Sequence, residues 1–270
     1  MNSNASKKDH RFFIDINAPG TARGKSLTSQ AIRDHFRADG IEPIVVRFES
    51  AAAAGTRPSG EVFIASEKLL DAEPNRGGPV GTLNPVEEAI AACGSKGTPV
   101  ILDWAGGQSA LRADFYAASG FDSFVAEQSF VGFSLVVTTN QAASMIQAAE
   151  ALDLTAKVAP LLRRVLVLNR RDGGFDGFPP GGAEAKAYAD ALMPQAAKCA
   201  ARLTLPVIAR YGWEPFAAAG LGFIEVLNRP VGELADITGL SYIVAAACRH
   251  SVAAWCAEVE PQLERLFPLQ

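Results

Sequence analysis

Short apolar, β-branched runs alternate along this chain with segments whose apolar residues recur at helical spacing. Residues 11–16 (RFFIDI) predict a strand, and 26–38 a helix ending before Gly40, which suits the left-handed position past a helix end. A second strand follows at 43–48 (PIVVRF), and a short one at 62–65, beyond a low-complexity loop at 51–60 (AAAAGTRPSG). Gly and Pro crowd 71–85 and predict a long loop, after which Asn84-Pro85-Val86-Glu87 has the order of a helix start: Asn as cap, Pro first, Glu third. Residues 99–103 (PVILD) are apolar on both faces, as a central parallel strand requires. Helical spacing fills 109–130, a strand follows at 133–139 (FSLVVTT), and Asn140 is placed to cap the next helix. Strands at 164–168 (RVLVL) and 205–209 (LPVIA) complete the set.

Strands alternating with helices imply βαβ units. The expected fold is therefore α/β: a largely parallel twisted sheet of about six to eight strands flanked by helices, in one domain spanning the chain. Residues 1–10 read as a flexible N-terminus. Residues 240–267 read as a helix packed on the domain, with Ile243, Ala247, Trp255, Val259, Leu263 and Leu266 largely on one face. No internal repeat is visible.

Composition narrows the function classes. Of 270 residues, 49% are hydrophobic, enough to bury a sizeable core and to exclude global disorder. The 25 Lys+Arg against 29 Asp+Glu give a net charge of −4, which argues against coating nucleic acid by bulk charge and leaves only a local basic patch. The four cysteines lack CxxC spacing and form no disulfide framework, so a reduced, cytoplasmic location is expected. No apolar run is long enough to span a membrane, and RFFIDIN is too short for a secretory core.

The candidate chemistry lies between the first strand and the first helix: Pro19-Gly20-Thr21-Ala22-Arg23-Gly24-Lys25-Ser26-Leu27. A G-x-x-x-x-G-K-[ST] loop needs this strand-to-helix setting, although the first glycine of the pattern is Pro19 here. Glycine lets backbone amides converge on phosphate oxygens, and the helix N-terminus adds its positive end. Lys25 would neutralise β/γ-phosphate charge, and the Ser26 hydroxyl would bind Mg²⁺. A second acidic group at an adjacent strand end is needed for Mg²⁺, and Asp103, closing PVILD before Trp104-Ala105-Gly106-Gly107, has that place. ATP with Mg²⁺ is the implied ligand.

These segments, with Leu135-Val136-Val137-Thr138-Thr139 and Val165-Leu166-Val167-Leu168-Asn169-Arg170, resemble the ParA/MinD group of P-loop ATPases over about residues 11–225. The resemblance implies an ATP-dependent sandwich dimer whose hydrolysis resets localisation, in plasmid or chromosome partition or in cargo positioning, with a cargo or adaptor protein as partner. It matches Lys25 and Ser26 to the phosphate-loop positions, Asp103 to the acidic strand end, and Asn169 to the position whose amide contacts the adenine. Glu49 is the nearest match to the acidic residue after the second strand that orients attacking water; a solvated loop carboxylate is the alternative. The chain departs from the family at Gly20, where the signature lysine that reaches across the dimer is expected. Arg23 is the other cation of the loop and a candidate substitute; slow hydrolysis is the other consequence.

Arg210-Tyr211-Gly212-Trp213, after LPVIA, would border the base with Arg210, while the loop from Arg170 to Gly182 would cover it or meet a partner. DNA contact would need a local patch from Arg163, Arg164, Arg170 and Arg171. The spacing of Cys248, His250 and Cys256 does not make a metal cluster. Two other functions remain compatible with the sequence: a small-molecule kinase or ATP-dependent ligase on the same architecture, and a nucleotide-binding partner protein without turnover.

Overall fold

A computed structural model describes residues 11–21, 23–49, 61–65, 78–127 and 130–269, with the backbone alone for 78–83 and 210–211. Among the described residues seven strands form one sheet: β1 (Phe12–Asn17), β2 (Ile44–Glu49), β3 (Glu61–Ala65), β4 (Val100–Asp103), β5 (Val131–Thr138), β6 (Arg163–Asn169) and β7 (Ala201–Leu205). Their order is β3-β2-β4-β1-β5-β6-β7, with every neighbouring pair parallel. Parallel pairing buries both faces of the central strands, so β1 and β4 are buried at every position.

The helices are α1 (Lys25–Ala38), α2 (Gly78–Lys96), α3 (Ser109–Ala118), α4 (Phe121–Glu127), α5 (Ala142–Val158), α6 (residues 183–196, with a π-helical middle), α7 (Arg210–Ala218), α8 (Phe223–Asn228), α9 (Val231–Thr238) and α10 (Tyr242–Leu266). On one face, Phe12, Ile14 and Ile16 of β1 pack with Ile32 and Phe36 of α1 and with Trp255, Val259 and Leu263 of α10. On the other, Phe13, Val46 and Leu102 pack with Ile90 and Cys93 of α2 and Tyr116 of α3, while Val136 and Leu166 meet α5 and α6.

Three local expectations shift, each for an identifiable reason. The helix expected to open at Asn84 begins at Gly78 and carries Pro85 inside it. Pro79 stands in its first turn, where a missing N–H costs nothing, so the chain offers the same proline signal twice. The helical stretch over 109–130 is divided between α3 and α4, where the chain turns at Ser119-Gly120 with Gly120 left-handed (φ 60°). The last strand is Ala201–Leu205 rather than 205–209: Pro206 has no N–H for the ladder, while Leu203 and Leu205 alternate inward. In α10 the buried stripe is Ala245, Cys248, Val252, Trp255, Val259 and Leu263, whereas Ile243 is 80% exposed. Twelve residues separate Ile243 from Trp255, roughly 120° around a 3.6-residue helix, so they cannot share its narrow buried stripe. Among the described residues no single helix is long and apolar enough to cross a membrane.

Candidate functional site

From β1 the chain leaves through α1 on one face toward β2, whereas from β5, its neighbour, it leaves through α5 on the other face toward β6. The carboxyl ends of β1 and β5 therefore flank the crevice where open α/β sheets take ligands. The loop at Gly20–Lys25 lies on this crevice; Ala22 falls outside the described residues.

Gly24 caps α1 with φ 98° and ψ 17°, a left-handed conformation that side chains rarely adopt. Among the described residues no side chain caps α1, and its first turn (Lys25, Ser26, Leu27) carries no acid. The first amides are thus left without intrahelical acceptors at the positive end of a 14-residue helix. Ser26 and Thr21 are exposed, Gly20 and Lys25 are half-buried, and Leu27 packs against the core. Thr28 Oγ donates to Gly24 O at 2.9 Å and ties the turn to the helix.

Arg23 bridges the crevice. Its Nη1 donates to Thr139 Oγ1 and to Gln141 Oε1, both at 3.1 Å, at the end of β5. Its Nε lies 3.0 Å from where a Cβ on Gly20 would be, so the guanidinium fills the space that any side chain at position 20 would enter. Arg23 Nε is buried with no acceptor among the described residues. Asn17, ending β1 and fully buried, accepts from Ser109 Oγ at 3.0 Å and also has a donor, Nδ2, without an acceptor among the described residues. Unpaired donors and free helix amides around the loop suit an anion that brings acceptors, as a polyphosphate does.

Asp103 ends β4 on the α1 face, level with Ile16 of β1 and Arg47 of β2. Burial pushes its carboxyl up from the ordinary aspartate range, opposed by the charges of Arg47 and Lys25 and by a hydrogen bond from Ser29. Lys25 and Asp103 are thus brought to one place from positions 78 residues apart. A carboxylate held next to the Ser26 end of the helix fits a hard cation, and such an ion would screen phosphate charge there. Glu49 is the last residue of β2 rather than part of the loop after it, two positions beyond Arg47 and hence on the same face. Arg47 Nη1 lies 3.9 Å from Glu49 and its Nε 3.0 Å from Glu61. Burial raises the Glu61 carboxyl despite Arg47 and Arg33.

Asn169, at the end of β6, is 2% exposed and points into the loop: Nδ2 donates to Arg23 O at 2.9 Å, and Oδ1 accepts from Arg171 N at 3.1 Å. Asn140 does not cap α5. It donates instead to Asp172 O and Gly174 O, holding the loop after β6. Arg210 opens α7, beyond β7 at the far edge of the sheet. The four arginines of the proposed basic patch divide between the two ends of β6, about 20 Å apart at roughly 3.3 Å per residue, so they are not one patch.

The sequence reading missed a second layer under the loop. Asp15, fully buried within β1, accepts from Trp104 Nε1 at 2.8 Å, Tyr116 OH at 2.9 Å, Ser134 Oγ at 2.8 Å and the guanidinium of Arg112. Arg112 Nη1 also donates to Thr155 Oγ1 at 3.1 Å. Trp104 and Arg112 stand at either side of the loop after Asp103, whose Gly106 approaches the Thr21 backbone so closely that a Cβ would sit 2.8 Å from Thr21 Cα. The signal was present: an Asp inside an apolar strand needs a buried partner.

No protein-family model and no curated protein matches the chain. Among solved structures it is similar to an ATP complex of Cyanothece McdA, at 11% identity over 91% of this chain and 97% of that one, with a TM-score of 0.41.

Proposed function

We propose that this chain is a Mg-ATP-binding and hydrolysing switch of the ParA/MinD type, dimerising on ATP and acting in partition or cargo positioning. The observation that supports it best is the placement of an uncapped, acid-free helix start with Lys25 at the β1/β5 crevice, beside the buried carboxylate of Asp103. Lys25 and the amides of Ser26 and Leu27 would hold the β- and γ-phosphates, with Ser26 and Asp103 holding Mg²⁺ directly or through water. Glu49 is the candidate for orienting water, and Arg23 for supplying charge at the phosphates. Arg210 is proposed at the base. DNA and cargo contacts belong to the same proposal and depend on surfaces that dimerisation would create.

The test combines light scattering with phosphate release. Mg-ATP is expected to double the mass in solution and to be turned over slowly, and Asp103→Ala to weaken both. A chain that stays monomeric and releases no phosphate with saturating Mg-ATP would leave only nucleotide binding.

A further inference from the structure

The amide of Asn169 is spent on the protein. Its Nδ2 holds a carbonyl of the phosphate loop, Arg23 O, and its Oδ1 holds Arg171 N at the start of the turn Arg170–Asp172. The approach is close: a Cβ on Gly24 would lie 2.1 Å from Asn169 Nδ2, so the loop residue that must be left-handed must also lack a side chain to admit this amide. Beyond Asn169 the contacts return to the loop. Gln141 Nε2 donates to Asp172 Oδ2 at 3.4 Å, and Gln141 Oε1 accepts from Arg23 Nη1 at 3.1 Å. Arg23 is thus held at its backbone from β6 and at its side chain from β5, in a closed ring joining the ends of β1, β5 and β6.

We infer that Asn169 is a positioning residue for the phosphate loop, committed to setting its shape rather than to reading the base of a nucleotide. This rests on the proposal that the loop binds a nucleotide. At 2% exposure, with one backbone contact at each end of its amide, Asn169 is held against the loop and leaves a base little accessible edge. Its substitution should therefore cost affinity through the phosphates, whatever the base.

The experiment measures binding of ATP, GTP and inorganic tripolyphosphate, each with Mg²⁺, to the unaltered protein and to Asn169→Ala and Asn169→Asp. The expected result is an equal loss for all three ligands, on the order of tenfold as the loop loses the amide that shapes it, while the circular dichroism spectrum holds. Asn169→Asp keeps the shape and the contact with Arg171 N but turns an oxygen toward Arg23 O, so it tests the contact should the alanine variant fail to fold. An aspartic acid can donate that hydrogen bond once protonated. The Asn169→Asp deficit should therefore shrink on acidification relative to the unaltered protein, which a general loosening of the fold would not produce. A loss confined to ATP, with tripolyphosphate unaffected, would overturn the inference and make Asn169 a base reader. A protein that binds neither nucleotide nor tripolyphosphate would overturn the nucleotide reading itself, and the inference with it.

Discussion

Replacing Arg112 with Met removes one half of a buried ion pair and keeps most of its volume. The Arg112 side chain is 1% exposed and Asp15 0%, so solvent cannot take over either charge. Asp15 would keep three neutral donors, Trp104, Tyr116 and Ser134, but lose its counter-charge in a low-dielectric core. Breaking such a pair from one side costs about 3–5 kcal/mol, a large share of the ~5–15 kcal/mol that holds a typical domain together. At ~2–4 °C per kcal/mol in a chain of this size class, the thermal midpoint should fall by roughly 6–20 °C. Urea unfolding followed by tryptophan fluorescence reads this well, since Trp104 belongs to the network. Asp15→Asn in the Arg112→Met background should recover part of the loss, because the orphaned charge goes with it, giving a coupling of about 1–3 kcal/mol in a double-mutant cycle. A single variant that loses less than about 1 kcal/mol, or a double variant whose loss is the plain sum of the two, would mean that Arg112 and Asp15 are not a coupled buried pair.

Two further outcomes follow from the geometry. His35 of α1 is buried with acceptors at both ring nitrogens, Glu260 Oε1 at 2.6 Å and Phe267 O at 3.0 Å, and Glu264 adds negative charge. Burial alone would lower the imidazole, but these contacts raise it above its ordinary value, so its stabilisation is full below about pH 6.5 and fades as pH rises through the higher folded value. The thermal midpoint should therefore decline from pH 6 to pH 9 in the unaltered protein and decline less in His35→Gln; parallel curves would contradict the latch between α1 and α10. Arg23→Ala should weaken both Mg-ATP affinity and the ATP-induced mass increase in light scattering, and Gly20→Ala should do the same by placing a Cβ 3.0 Å from Arg23 Nε; normal binding, dimer and turnover in both would remove Arg23 from the site.

The elements legible in the sequence are those whose cause is local. PVILD reads as a buried parallel strand because its apolar character is unbroken, RVLVL reads as a strand, and the turn at Gly24-Lys25-Ser26 is legible from its glycine between a strand and a helix. Shifts arose where two local signals compete: Pro79 against Pro85 for the start of α2, or the apolar LPVIA against a proline that ends the ladder at Leu205. Long-range pairings were not legible. Asn169 reaches Arg23 across 146 positions, and Asp15 reaches Arg112 across 97, and nothing near either residue names its partner. For Asn169 the family resemblance points to the base, while its position points to the loop backbone. The buried Asp15 could be recognised as needing a cation, but only the folded sheet selects Arg112 from the 25 Lys and Arg available.

Isothermal titration of Mg-ATP into the unaltered protein and into Lys25→Ala decides whether the loop at Gly20–Lys25 holds the phosphates. Saturable binding of about one nucleotide per chain is expected, with a loss of roughly tenfold to a hundredfold or more in Lys25→Ala, because a charge-assisted contact of ~1.5–3 kcal/mol disappears. Equal affinity in the two proteins would contradict the assignment of this loop as the phosphate site.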